Sequence, residues 1–152
     1  MTKILMVCLG NICRSPLAHG ILESKLDPNK FKVDSAGTAR YHIGNRPDYR
    51  SIEVARNNGI NISEQRSRQF AVEDFDAFDI IYAMDRSNYN NIIAQAESPS
   101  ERDKVRLILN ENPDLLNKDV PDPYYGDYSD FEYVFNILDE TCVRISKNLM
   151  RE

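Results

Sequence analysis

The feature that most constrains this chain is a change of texture near its start. A four-residue apolar run, Ile4-Leu5-Met6-Val7, gives way at Cys8 to Leu9-Gly10-Asn11-Ile12-Cys13-Arg14-Ser15, and a helical pattern opens at Pro16. Strand, tight loop and helix in that order put a helix N-terminus at the end of a strand. The loop from Cys8 to Arg14 can then bend so that its backbone N–H groups point inward, a nest that binds a doubly charged oxyanion without a metal. The same field favours the thiolate of Cys8, the nucleophilic form. Arg14 closes the ring with a planar fork that matches two oxygens of one phosphate. A cysteine ending a strand is often mere core. Here Gly10 and Asn11 tolerate left-handed backbone, Ser15 follows the arginine directly, and Pro16 suits a first helical turn, so the oxyanion loop is the better reading. The chemistry it predicts is phosphoryl transfer to sulfur.

The rest of the chain repeats the alternation. Strands are expected at residues 3–7, 31–35, 79–84 and 105–109. Helices are expected at 16–26, at 47–58 with Gly59 as C-cap, from an Asp85 cap to about residue 96, and from 129 to 150, opened by a Ser129-Asp130-Phe131-Glu132 capping box. Strands alternating with helices predict an α/β fold, a parallel sheet covered on both faces. At 152 residues it reads as one domain, 1–152. In such sheets the ligand sits beyond the carboxyl ends of the strands, where the Cys8 loop lies.

Charge narrows the partners. Nineteen Lys and Arg against 24 Asp and Glu leave a net charge of −5, which gives no electrostatic footprint for nucleic acid or a membrane. A negative chain that binds phosphate must do so by local geometry. The apolar run at the start is too short for a signal-peptide core, and no stretch spans a bilayer. Three cysteines without disulfide-framework spacing point to a reducing cytoplasm. His19 and His42 lack partners at metal-ligand spacing, so neither a metal site nor a cofactor is expected.

Attack on phosphorus by sulfur expels an oxygen that leaves poorly unless protonated, so the loop needs a general acid. That acid later serves as base for the water that hydrolyses the phosphocysteine. Two long connections are aromatic enough to carry function, 36–46 with Tyr41 and 110–128 with Asp122-Pro123-Tyr124-Tyr125-Gly126-Asp127. Asp122 is the candidate acid, on a loop stiffened by Pro123 and made less polar by the tyrosines. An Asp-Pro turn with no chemical role fits the spacing as well.

The stretch Val7 to Pro16, together with Asp122-Pro123-Tyr124-Tyr125-Gly126, closely resembles the low-molecular-weight protein tyrosine phosphatases. Asp34-Ser35-Ala36-Gly37-Thr38, Ile43-Gly44-Asn45-Arg46-Pro47-Asp48 and Met84-Asp85-Arg86-Ser87-Asn88 match that family too. The resemblance covers essentially the whole chain and implies a three-layer fold with a four-stranded parallel sheet. It also implies metal-independent hydrolysis of phosphotyrosine through a phosphocysteine, with tyrosine-phosphorylated proteins or peptides as substrates and phosphate or vanadate-like oxyanions as inhibitors. Residue by residue, it makes Cys8 the nucleophile, Arg14 the clamp and Asp122 the acid and then the base. Leu9, Gly10, Asn11, Ile12, Cys13, Arg14 and Ser15 bind the phosphate. Asn11 and Ser35 are the pair that supports the loop, Ser15 bonds the thiolate, and Leu9, Tyr41, Tyr124 and Tyr125 wall the slot for the ring. The resemblance also makes Cys13 a partner for a reversible Cys8 disulfide and Tyr124 and Tyr125 positions open to phosphorylation. One departure is Gln65, where many members carry a histidine that supports the loop.

Three other functions compete. An arsenate reductase of related fold needs two further relay cysteines, and only Cys142 lies outside the loop, at helical spacing with core residues. A protein-arginine phosphatase carries a small polar residue where Ile12 stands and lacks the paired tyrosines. A non-catalytic phosphotyrosine-binding module would keep Arg14 while losing Cys8 or Asp122, and both are present.

Overall fold

The computed structural model describes residues 1–151. Its elements in chain order are β1 (Thr2–Cys8), α1 (Arg14–Glu23), β2 (Phe31–Gly37), α2 (Tyr49–Asn57), α3 (Asp74–Ala77), β3 (Ile80–Ala83), α4 (Arg86–Ile93), α5 (Pro99–Asp103), β4 (Val105–Leu107) and α6 (Tyr128–Met150). The four strands are parallel in the order β2-β1-β3-β4. β1 lies between two neighbours, which explains its unbroken apolar run: Ile4 to Val7 have no solvent exposure.

Successive β1 side chains face opposite layers. Ile4, Met6 and Cys8 join the core built with α1, α2 and α6, including Leu17, Ile21, Val54, Phe131 and Leu138. Leu5 and Val7 join the other core, with Phe75 of α3, Ile81 of β3 and Ile92 of α4. The chain is therefore a three-layer α/β fold with helices on both faces. Leaving β1, the chain builds β2 on one side, and β3 pairs on the other. The Cys8 loop thus sits at the point where strand order reverses, the usual place for a ligand crevice.

Several boundaries differ from the sequence expectation, each for a local reason. α1 begins at Arg14, two residues early, and Pro16 still falls in the first turn where no N–H is needed. α2 starts after Asp48, whose carboxylate caps the Arg50 N–H. The long helix α6 is capped by Asp127 and not by Ser129, because Asp130 reaches back to the Asp127 N–H at 2.9 Å and completes the capping box two residues earlier. The strand expected to 109 stops at Leu107, and Ile108–Glu111 tightens into a 3-10 turn. The short helices α3 and α5 fall in stretches with no strong period. Among the described residues, no helix is long and apolar enough to cross a membrane.

Candidate active site

Peptide planarity explains how the loop after β1 works. Within one peptide plane, the C=O of a residue and the N–H of the next point opposite ways. Five loop carbonyls are tied to donors outside the loop. The Cys8 and Leu9 carbonyls accept from Thr38 and Ala39 N–H (both 2.9 Å), Gly10 O from Ser67 Oγ (3.0 Å), Ile12 O from Asp48 N–H (2.8 Å), and Cys13 O from Ser51 Oγ (3.3 Å). Each outward carbonyl turns the next N–H inward, which directs those of Leu9, Gly10, Asn11, Cys13 and Arg14 toward the Cys8 side chain. The left-handed residue in the loop is Asn11, at φ 56°, and not Gly10. Its N–H donates to Cys8 Sγ at 3.3 Å.

The sulfur has a second donor, and its orientation follows from a relay. Arg68 N–H donates to Asn11 Oδ1 (3.1 Å), which turns the amide so that Asn11 Nδ2 donates to Ser15 Oγ (2.8 Å). With one lone pair occupied, the Ser15 hydroxyl can give its proton to Cys8 Sγ at 3.0 Å, the nearer of two acceptors, since the Ala36 carbonyl lies at 3.4 Å. All three side chains are buried. The Asn11 N–H and the Ser15 hydroxyl thus flank the sulfur from two sides.

Arg14 is 3% exposed. Its Nη1 donates to Asp85 Oδ2 at 2.7 Å and to the Val120 carbonyl at 3.0 Å, while its Nη2 lies 3.8 Å from Asp122 Oδ2. Burial opposes the charge, but negative Cys8, Asp85 and Asp122 together hold the guanidinium above its ordinary range. Asp85 also accepts the Asn88 N–H at 2.7 Å, so it caps α4 and fixes Arg14 at once. Cys13 stands apart chemically. Burial, then the negative charges of Asp48, Cys8 and Asp122, push its thiol well above the ordinary range, so it stays protonated at neutral pH.

Above the loop opens a cleft of about 330 Å³. Leu9, Tyr41, Tyr124 and Tyr125 all line it, as do Ile12 and Asp122. The Tyr124 and Tyr125 rings meet edge to face at 5.0 Å, and Tyr125 is 96% exposed. Asp122 stands at the rim with its Oδ1 accepting the Tyr124 N–H at 3.1 Å.

Ser35, expected to support the loop, lies elsewhere, and Gln65, the departure from the family's histidine, reaches only the start of α1. Ser35 pairs in register with Met6 and meets His19 Nδ1 of α1 at 3.3 Å, not Asn11, whose acceptor is already taken by Arg68. Gln65 donates to the Pro16 carbonyl at 3.1 Å, at the start of α1, and its buried Oε1 has no partner among the described residues. Several residues that shape the site were missed by sequence reasoning. His42 stands between Tyr41 and Tyr124, 6.5 Å from each ring. Ser67 holds the Gly10 carbonyl, and Gly37 passes so close to the loop that a Cβ there would lie 2.7 Å from Leu9 O. Gly37 left a trace, as part of the Asp34–Thr38 stretch that matches the family.

A parallel α/β sheet with a Cys-x5-Arg nest at its switch point and a carboxylate on the cleft rim defines a class, the phosphatases that work through a loop cysteine. The chain belongs to one family of that class, the low molecular weight phosphotyrosine protein phosphatases, whose model matches residues 3–152. It is similar to the family member of Homo sapiens, at 38% identity over 99% of this chain and 94% of that protein. YfkJ of Bacillus subtilis, named a low molecular weight protein-tyrosine-phosphatase, is 38% identical over 100% of this chain and 98% of its own length. The crystal structure of a protein tyrosine phosphatase from Entamoeba histolytica superposes with a TM-score of 0.93 at 34% identity, covering 99% of this chain and 98% of that one.

Proposed function

We propose that this chain acts as one catalytic domain that hydrolyses phosphotyrosine in proteins or peptides through Cys8. The Cys8 thiolate attacks phosphorus. The P–O bond to the ring breaks, and the departing phenolate takes the proton of Asp122, leaving a phosphocysteine. Asp122, now a carboxylate, accepts a proton from a water that attacks the same phosphorus, so the P–S bond breaks and inorganic phosphate leaves with the thiolate restored. Arg14 and the inward N–H groups hold the phosphoryl oxygens throughout. They supply the positive field that a metal supplies in other phosphatases. Phosphate and vanadate-like oxyanions compete for the same nest.

The observation that carries the reading is the sulfur of Cys8 with Ser15 Oγ at 3.0 Å and Asn11 N–H at 3.3 Å, beneath a cleft that also holds Arg14 and Asp122. An aryl ester is favoured over other phosphates because Tyr41, Tyr124 and Tyr125 offer flat faces and edges for a ring. The free thiols of Cys8, Cys13 and Cys142 fit a reducing compartment, the cytoplasm.

The acid is tested by leaving groups. Asp122→Asn is expected to lower kcat/KM for a phosphotyrosine peptide by about 10²-fold, within the range for general acid catalysis, while sparing 2,4-dinitrophenyl phosphate, whose phenolate leaves unaided. The control is Asp119→Asn, which keeps an oxygen for the Arg86 N–H that Asp119 accepts at 2.9 Å. Equal behaviour of the two variants would remove Asp122 from the role.

A further inference from the structure

The Asp122 loop has no sheet or helix to hold it, yet a proton donor must sit within hydrogen-bond reach of its target. Arg14 of α1 meets its near side, at the Val120 carbonyl and 3.8 Å from Asp122 Oδ2, and one further side chain ties down the turn beyond Asp122. Arg50 Nη2 donates to the Tyr124 carbonyl at 2.9 Å and its Nη1 to the Gly126 carbonyl at 3.0 Å. The same guanidinium forks onto Asp48, Nε to Oδ1 and Nη2 to Oδ2, both at 3.0 Å. Asp48 in turn gives its N–H to the Ile12 carbonyl of the phosphate loop at 2.8 Å. The guanidinium also lies 4.4 Å from the Phe131 ring centroid at the start of α6, an aromatic face that fixes its plane.

The path from nucleophile loop to acid loop is therefore short and made of directional bonds. It runs Ile12, Asp48, Arg50, then Tyr124 and Gly126. Beyond it, the Gly126 N–H closes a turn on Pro123 O at 2.9 Å, and the Tyr124 N–H holds Asp122 Oδ1. A lysine could not copy this. It has three donors on a single flexible point, whereas Arg50 places donors on four acceptors in one plane.

We infer that Arg50 is a positioning residue for proton transfer: it sets the height of the Asp122 loop over the phosphate loop. The role rests on the reading of Asp122 as the general acid. It touches neither substrate nor sulfur, so its loss acts through the loop it holds, chiefly through the placement of Asp122.

The test is a double-mutant cycle read by leaving group, using kcat/KM, which reports only steps up to departure of the phenol. Arg50→Met keeps an apolar stem on Phe131 and removes every donor. It is expected to lower kcat/KM for a phosphotyrosine peptide about tenfold, the scale of a small misplacement at a reacting centre. For 2,4-dinitrophenyl phosphate, and for vanadate affinity, the change is expected to stay under about twofold. In an Asp122→Asn background, Arg50→Met should add almost nothing on either substrate, because there is no proton left to place. Arg50→Lys, which keeps the charge if the methionine variant folds poorly, is expected to show the same leaving-group-dependent loss. Equal losses on both substrates, or losses that multiply with those of Asp122→Asn, would make Arg50 a general structural support and overturn the inference. If Asp122→Asn shows its own leaving-group signature and neither Arg50 variant does, the acid stands and the positioning role falls. If Asp122→Asn shows none, both fall.

Discussion

Cys8 and Cys13 lie five positions apart in one loop, and their surroundings divide them. Cys8 faces donors, an N–H and a hydroxyl. Cys13 is buried beside negative groups and keeps its proton. Cys8→Ser is therefore expected to abolish turnover while vanadate still binds, since the nest and Arg14 remain; steady-state rates and equilibrium titration check the two halves. Cys13→Ala is expected to stay within a few-fold of wild type, because a neutral buried thiol contributes packing only. For Arg14, charge is the smaller part of the task. Arg14→Lys keeps it but cannot hold Asp85, Val120 O and a phosphoryl group in one plane, and a loss of about 10²-fold or more in kcat is expected.

At the scale of elements, the site is a meeting of loops that the strands hold at fixed distance. Gly37 ends β2 opposite Cys8, and an added methyl there would lie 2.7 Å from Leu9 O and 3.1 Å from the Asn11 N–H. Gly37→Ala must push the phosphate loop. It is expected to weaken both vanadate binding and turnover by about tenfold or more, the cost of misplacing several donors at once. The Asp48–Arg50 link carries a pH signature. Burial works against the Asp48 carboxylate, but hydrogen bonds from the Arg50 side chain and backbone outweigh it and hold Asp48 below its ordinary 3.8. A depressed folded value means that the pair's stability is present above the unfolded value and lost as pH falls through the folded one. The Tm gap between wild type and Asp48→Asn is thus expected to be widest near neutrality and to close as pH drops below 3.8.

Across the whole molecule, what could be read from the sequence was what is contiguous. β1, its loop and α1 are neighbours in the chain, so strand pattern, Gly10-Asn11 and Pro16 spoke to one another directly. The parallel sheet followed from alternation. Asp122 was only half legible, because an Asp-Pro turn looks the same whether or not a thiolate lies beneath it; the family resemblance, not spacing, favoured it. Ser67, His42 and Arg50 were not legible at all, since their roles exist only once distant loops fold over the carboxyl ends of β1 and β2. Asp127 lost out to Ser129 as the expected cap because both satisfy the local pattern and only the reach of Asp130 decides between them. The site also depends on helices that never touch it. Leu138 is fully buried on α6 against the core beneath α1. Leu138→Ala is expected to cost about 2–5 kcal/mol in denaturant unfolding. Below the unfolding transition, kcat/KM should remain close to wild type.

The central claim is a covalent one, that the phosphoryl group passes through sulfur at Cys8. Rapid quenching of Asp122→Ala with 2,4-dinitrophenyl phosphate tests it most directly, because that phenolate leaves without the acid while the variant has lost the base that would clear the intermediate. Mass analysis of the quenched protein should find one phosphoryl group on the peptide that carries Cys8, with phenol product released in equal amount, and none when Cys8 is also changed to serine. Phenol released with no adduct, or an adduct that maps to any residue other than Cys8, would contradict it.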